Sequence, residues 1–257
     1  MSRVLDQMSL EGKVAIVTGS GRGLGRAMAL ALADAGADLV VTARTGVEVE
    51  ETAREIQKIG RKVLSLAADI TDPGQVDHLV KTTIERFGKV NILVNNAGVA
   101  IVKVLTELSL EEWRRTLDTN LTSLYLCCKA VGPHMIAQRQ GKVINISSID
   151  GAAGKATLVA YCASKGGVIL FTKALAVEWA QYNIQINAIG PGAFYTNPMA
   201  VVFDDEKLGP IRRKKIPAGR EGKPEELGPL VVYLASSASD FMTGETVFID
   251  GGELAKL

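Results

Sequence analysis

Short aliphatic runs alternate with longer amphipathic stretches from one end of this chain to the other, and that alternation limits its fold more than any other feature. The runs are Val14–Val17, Leu39–Thr42, Val63–Leu66, Ile92–Val94, Val143–Ile146, Ile184–Ile189 and Thr246–Ile249. Most are continuously apolar, as strands buried on both faces should be. Between them lie helical stretches over Gly25–Ala35, Val47–Ile59, Pro73–Phe87, Leu110–Gln138, Tyr161–Gln181 and Pro224–Ala235, two of them opened by start signals at Thr71-Asp72-Pro73 and Lys223-Pro224-Glu225-Glu226. Strand and helix in strict turn predict a doubly wound α/β fold, a parallel sheet of about seven strands with helices on both faces. No composition shift, repeat or low-complexity tract divides the 257 residues, so 1–257 reads as a single domain. The stretch from Phe194 to Gly222 is unlike the rest: it has no strand signal and carries Asn197-Pro198, Gly209-Pro210 and Arg212-Arg213-Lys214-Lys215. An insertion after a strand's carboxyl end reads as a substrate lid, its basic run as a solvated helix face.

Charge excludes several classes of partner. With 29 Lys plus Arg against 28 Asp plus Glu, the net charge of +1 leaves no electrostatic footprint for nucleic acid or an anionic membrane. Arg3, Asp6, Glu11 and Lys13 interrupt the first residues, and no run of about 18 apolar residues is evident, so neither a signal peptide nor a membrane span is expected and the location expected is cytoplasmic. Cys127, Cys128 and Cys162 form no C-x-x-C pair and read as small buried hydrophobes rather than as a disulfide framework or metal site. His78 and His134 lie far apart on helical stretches and suit neither a triad nor a ligand set.

Directly after the first strand comes Thr18-Gly19-Ser20-Gly21-Arg22-Gly23-Leu24-Gly25, which opens into a helix. Glycines there permit a tight turn and close approach of a pyrophosphate to backbone N–H groups, and the helix N-terminus favours negative charge. A glycine turn alone needs no nucleotide to explain it, and this one departs from G-x-G-x-x-G. Its spacing, T-G-x-x-x-G-x-G, resembles the short-chain dehydrogenase/reductase family.

The resemblance runs from Lys13 to Gly252. Asn95-Asn96-Ala97-Gly98 is similar to the family's N-N-A-G, which flanks the adenosine side of the cofactor. Asp69, with Ile70 beside it, stands where the family's acid reaches the adenine. Pro191-Gly192 followed by Thr196 matches P-G-x-x-x-T, which holds the nicotinamide carboxamide and a phosphate. Met242-Thr243-Gly244 and Asp250-Gly251-Gly252 look like the family's closing strand.

Tyr161 and Lys165 stand at i and i+4, one above the other on a helix face. A phenol with a pKa near 10 is a poor acid–base group at neutral pH, and a cation held close would lower it. Ser148 lies 13 positions earlier, after the fifth run, on the edge where α/β sheets bind ligands. Asn120 interrupts a long helical stretch, where an amide is disfavoured unless its side chain has a task. The family's Asn, Ser, Tyr and Lys carry over onto Asn120, Ser148, Tyr161 and Lys165. The resemblance implies hydride transfer between nicotinamide and a substrate carbon, with no metal. Tyr161 is then the acid or base, Ser148 binds the substrate oxygen, Lys165 lowers the Tyr161 pKa and binds the nicotinamide ribose, and Asn120 holds a relay water.

Where NAD-using members carry an acid at the end of the second strand, this chain has Ala43, followed by Arg44, with Arg22 in the turn. NADP(H) is therefore expected as the preferred cofactor, with NAD(H) possible. The substrate expected is a small carbonyl or alcohol. Leu175-Ala176-Val177-Glu178-Trp179 with Tyr182-Asn183-Ile184 resembles the gluconate and keto-sugar reductase branch. The runner-up is 3-oxoacyl-(acyl carrier protein) reductase, for which Arg139 fits, while Tyr182 replaces an arginine. A dinucleotide-binding regulator without activity is the alternative of another class. Apolar content in Leu110–Gln138 and Tyr161–Gln181 beyond the needs of one sheet contact, with the family's habit of pairing these helices, predicts a homotetramer.

Overall fold

The computed structural model describes residues 4–256. Among these residues, seven strands form one parallel sheet in the order β3-β2-β1-β4-β5-β6-β7. They are β1 (Val14–Thr18), β2 (Asp38–Ala43), β3 (Val63–Ala67), β4 (Ile92–Asn95), β5 (Gly141–Ile146), β6 (Ile184–Pro191) and β7 (Thr246–Ile249). The helices are α1 (Gly23–Asp34), α2 (Gly46–Lys58), α3 (Pro73–Phe87), α4 (Leu110–Leu117), α5 (Ser123–Gln138), α6 (Val159–Trp179), α7 (Asn197–Phe203), α8 (Leu208–Lys214) and α9 (Gly228–Ala235). This is the doubly wound fold expected from the alternation.

Why the strands read as unbroken apolar runs is visible in the two cores. Ala15, Val17, Leu39, Val41, Val94 and Ile144 join residues of α1, α2 and α9 on one face, while Val14, Ile16, Val40, Leu93 and Val143 join those of α3, α5 and α6 on the other. Successive side chains point to opposite faces, so a strand covered on both must be apolar throughout. The chain lays β2 and β3 on one side of β1 and then returns to place β4 on the other. At that reversal the connections leave in opposite directions and open a crevice at the carboxyl ends of β1 and β4.

Several elements differ from the sequence expectation. Leu110–Gln138 is not one helix: α4 passes into a π turn at Asp118–Thr122 before α5. Pro224–Leu227 is a 3-10 turn and α9 begins at Gly228, because Pro229 has no N–H to give the Glu225 carbonyl, as one continuous helix would need. Met242-Thr243-Gly244 precedes the closing strand rather than forming it: Thr243 Oγ1 accepts from Ile186 N, and Gly244 turns the chain at φ +82°. Residues 194–222 hold α7 and α8, with a bridge from Phe194 to Gly222 closing the base of the excursion. Its basic run is only in part a solvated face. Arg212 makes a bidentate pair with Glu253 at 2.7 and 2.8 Å, and Arg213 pairs with Glu221 over the Phe203 ring, leaving Lys214 and Lys215 exposed.

One helical segment, Val159–Tyr182, is long and apolar enough to cross a membrane by composition, with a mean hydropathy of 1.2, contrary to the expectation of no such run. Its apolar residues are spent on both sides. Val168, Ala176 and Trp179 face the sheet, and Leu170 and Val177 face outward.

Candidate active site

The site is assembled at the carboxyl edge of the sheet. Ser148 follows β5 and caps the short turn Ile149–Gly151, its Oγ accepting from Asp150 N at 3.1 Å. Gly151 is dictated by packing, since a Cβ there would lie 2.7 Å from the Lys165 carbonyl. Without a side chain at 151 the turn lies flat on α6 and brings Ser148 to Tyr161. Lys165 stands one turn along α6, its Nζ 5.8 Å from the centre of the Tyr161 ring and donating to Ile146 O at 2.6 Å. Asn120, in the π turn, meets the same place from the other side. A Cβ on Gly98 would lie 3.3 Å from Asn120 Oδ1 and 3.4 Å from Lys165 Nζ. The four residues singled out in the sequence thus converge around one point.

Two details of that convergence differ from expectation. The Asn120 amide is largely occupied: Nδ2 donates to Val99 O and Ser164 Oγ, each at 2.9 Å, and Oδ1 accepts from Val99 N at 2.8 Å. Its visible work is to pin the segment after β4 to α6. The second is the net position of the Tyr161 phenol, which lies above its ordinary value. Burial pushes Tyr161 up to about 12, with Asp150 adding to the rise and a hydrogen bond from Ser148 opposing it. Burial also brings Lys165 down to about 8. Both groups lose water on folding, which disfavours the charged form of each.

The glycine turn is built for close backbone packing. Gly19 and Gly23 have φ of +63° and +56°, and a Cβ on Gly25 would lie 2.2 Å from Gly19 O and 2.3 Å from Asn96 Nδ2. Asn96 Nδ2 donates to Thr18 O at 2.9 Å and Gly19 O at 3.0 Å, and the Thr18 hydroxyl accepts from Asn96 N and Ala97 N. The Asn96-Ala97-Gly98 segment is therefore the buttress of the turn. α3 is capped by Asp72, whereas α1, which follows Gly21 and Arg22 and opens with Gly23 and Leu24, has no side-chain cap at Arg22, so no N-cap side chain takes up the N–H groups of its first turn. An uncapped helix end with room left by glycine suits a pyrophosphate.

Thr196, the N-cap of α7, faces Gly23, whose added Cβ would be 3.6 Å from Thr196 Cγ2, so the excursion after Pro191-Gly192 folds over the turn. Asp69 accepts from Thr71 N at 2.9 Å and Thr71 Oγ1 at 2.7 Å. Those bonds, the backbone one foremost, with Arg44 nearby, hold its carboxyl below the usual range. Ile70 is buried beside it. Glu48 was not singled out in the sequence. It lies against Gly21, and its Oε1 is 3.6 Å from Arg22 Nη1. Its place in the first turn of α2 was a legible signal for a carboxylate, though not for its contact with Gly21.

A family model described as enoyl-(acyl carrier protein) reductase matches residues 19–253. The 2-dehydro-3-deoxy-D-gluconate 5-dehydrogenase of Escherichia coli (strain K12) is 42% identical over 254 residues, covering 98% of this chain and 100% of that one. The 3-oxoacyl-(acyl carrier protein) reductase of Vibrio cholerae is 39% identical, covering 95% of this chain and 98% of its own. Among solved structures, a gluconate 5-dehydrogenase from Burkholderia cenocepacia J2315 in complex with NADP and tartrate superposes with a TM-score of 0.94 at 36% identity, covering 99% and 100% of the two chains.

Proposed function

Since the chain belongs to the short-chain dehydrogenase/reductase family, we propose that it is an NADP(H)-dependent oxidoreductase of keto-sugar acids or related polyols. The observation that carries the reading is the meeting of Ser148, Tyr161, Lys165 and Asn120 opposite an uncapped, glycine-lined helix end. The Gly19–Gly25 turn, Arg22, Arg44, Asp69, Ile70, Asn96, Ala97, Gly98, Pro191, Gly192 and Thr196 would hold NADP(H), with Tyr161 and Lys165 at the ribose, and the cofactor would supply the hydride. Ser148 Oγ donates to the substrate oxygen and fixes it beside Tyr161 Oη. In reduction the phenol hands its proton to that oxygen, and in oxidation it takes the proton back. The Lys165 ammonium, five to six ångströms from the ring, favours the phenolate whenever Tyr161 gives up its proton. A relay water at Asn120 would use the main chain or the one spare lone pair of Oδ1, given the bonds the amide already makes.

Ala43 at the end of β2 and the exposed Arg44 and Arg22 favour a 2′-phosphate on the adenosine ribose. The rest of the reading is a single domain over 1–257, a lid over 194–222, a cytoplasmic location and a homotetramer. Tyr125, Leu170 and Val177, exposed on α5 and α6, support the last of these. Light scattering that returned a monomer at micromolar concentration would remove the tetramer.

The decisive assay follows NADPH absorbance with 5-keto-D-gluconate, a neutral keto-sugar and an acetoacetyl thioester. Faster turnover of the sugar acid is the expected result. Preference for the thioester would replace this substrate reading with that of a 3-oxoacyl reductase, and no turnover of any carbonyl would leave a dinucleotide-binding regulator.

A further inference from the structure

Charged groups around Asp150 differ in how tightly they are paired. Arg212 of α8 and Glu253 hold each other in a bidentate pair, each side chain only 14% exposed. Asp150 and Lys155 do not. The Asp150 side chain is 15% exposed, and the one ion pair it makes among the described residues is with Lys155, whose Nζ stands at a loose 3.6 Å and whose side chain is 49% exposed. The main chain around them is firm. Asp150 N is bound by Ser148 Oγ, Leu158 N donates to Lys155 O, and Lys103 N donates to Thr157 O. Carboxylate oxygens therefore keep lone pairs to spare, and an ammonium keeps protons to spare, two and seven residues beyond Ser148.

Position makes this more than a surface pair. Asp150 N donates to Ser148 Oγ at 3.1 Å in the turn Ile149–Gly151, which lies on α6 where Tyr161 stands, and the carboxylate there opposes ionisation of the phenol. The charges that face Asp150 are Lys155 from its own loop, Arg212 from α8 and Glu253 from the C-terminal segment. A half-buried carboxylate beside the reacting phenol repels a substrate carboxylate but accepts hydrogen bonds from hydroxyls, and the cation next to it does the reverse. A polyhydroxy acid carries both groups.

We infer that Asp150 and Lys155 form a recognition pair for a hydroxy-acid substrate, Asp150 accepting from a hydroxyl near the reacting carbon and Lys155 engaging the carboxylate. This rests on the keto-sugar acid reading above. Hydrogen bonds to a charged partner that is left unpaired when the ligand lacks the group discriminate by about 10- to 100-fold.

The test compares kcat/KM for 5-keto-D-gluconate, D-fructose and 2,3-butanedione, which has neither hydroxyl nor carboxylate, in the unmodified enzyme, Asp150→Asn and Lys155→Met. Asp150→Asn is expected to lower the fructose-to-butanedione ratio by about 10-fold or more, and Lys155→Met the ketogluconate-to-fructose ratio by a similar factor. Each ratio is taken on one enzyme sample, so a partly misfolded variant loses activity on every substrate without moving it. Ratios that stay within about twofold, against errors that small in such comparisons, overturn the pair while the substrate reading stands. An unmodified enzyme that takes the acetoacetyl thioester and none of the sugars overturns both.

Discussion

Replacing Lys165 by methionine changes the pH dependence of stability in a way that follows from its burial. Lys165 is 4% exposed, donates to Ile146 O, and is brought by burial from its ordinary 10.5 to about 8. A folded pKa below the unfolded one means that the unfolded chain binds more protons between pH 8 and 10.5, so this lysine weakens the fold below pH 8 and ceases to do so as the pH rises through that window. At 1.36 kcal/mol per unit, the cost of keeping it charged is about 3 kcal/mol at pH 7 and falls below about 1 kcal/mol at pH 10. Cys127 and Tyr161, each raised by burial to about 12, act in the opposite sense, stabilising the fold at neutral pH and losing that contribution as the unfolded groups ionise. The unmodified protein alone therefore mixes signs. The difference between it and Lys165→Met removes what they share. Methionine also leaves the Ile146 carbonyl unpaired, a cost of about 1–3 kcal/mol that does not vary with pH. Whatever the sign of the difference at pH 7, the variant's relative stability should fall by about 2–3 kcal/mol between pH 7 and pH 10. Urea unfolding of protein freed of nucleotide, followed by Trp113 and Trp179 fluorescence, measures it. Curves for the two proteins that run parallel to within about 1 kcal/mol, the size of the extrapolation error, would refute the argument that Lys165 is held charged at the expense of stability.

Tyr161→Phe should retain NADPH binding and lose a factor of about 10² to 10⁴ in kcat, which single-turnover kinetics resolves; retention of most of the activity would take the phenol out of the mechanism. Ala43→Asp should move the NADPH-to-NADH ratio of kcat/KM toward NADH by at least about tenfold, through a carboxylate set against the 2′-phosphate, and an unmoved ratio would free this strand end of that role. Gly25→Ala sets a methyl 2.2 Å from Gly19 O and displaces the Asn96 amide from its two carbonyl partners. Overpacking and the lost bonds together should cost about 2–4 kcal/mol, a drop of roughly 5–15 °C in Tm by calorimetry, with weaker NADPH binding.

Local patterns in the chain were enough to determine the order of strands and helices, the glycine turn and the spacing of Ser148, Tyr161 and Lys165, because periodicity, φ > 0 positions and i,i+4 neighbours are set by residues close in sequence. The same patterns overran Leu110–Gln138, since a π turn changes the backbone bonding without changing the apolar count. What only the tertiary structure decided involves partners far apart. Asn120 spends its amide on Val99 and Ser164, Arg212 is neutralised by Glu253 across 41 positions, Glu48 reaches the turn at Gly21, and Asp150 faces Tyr161 with a cation to one side. That burial raises Tyr161 and lowers Lys165 was likewise beyond the sequence. The sign of a pKa shift is the balance of solvation against charge, and that balance exists only once the chain has closed over both groups.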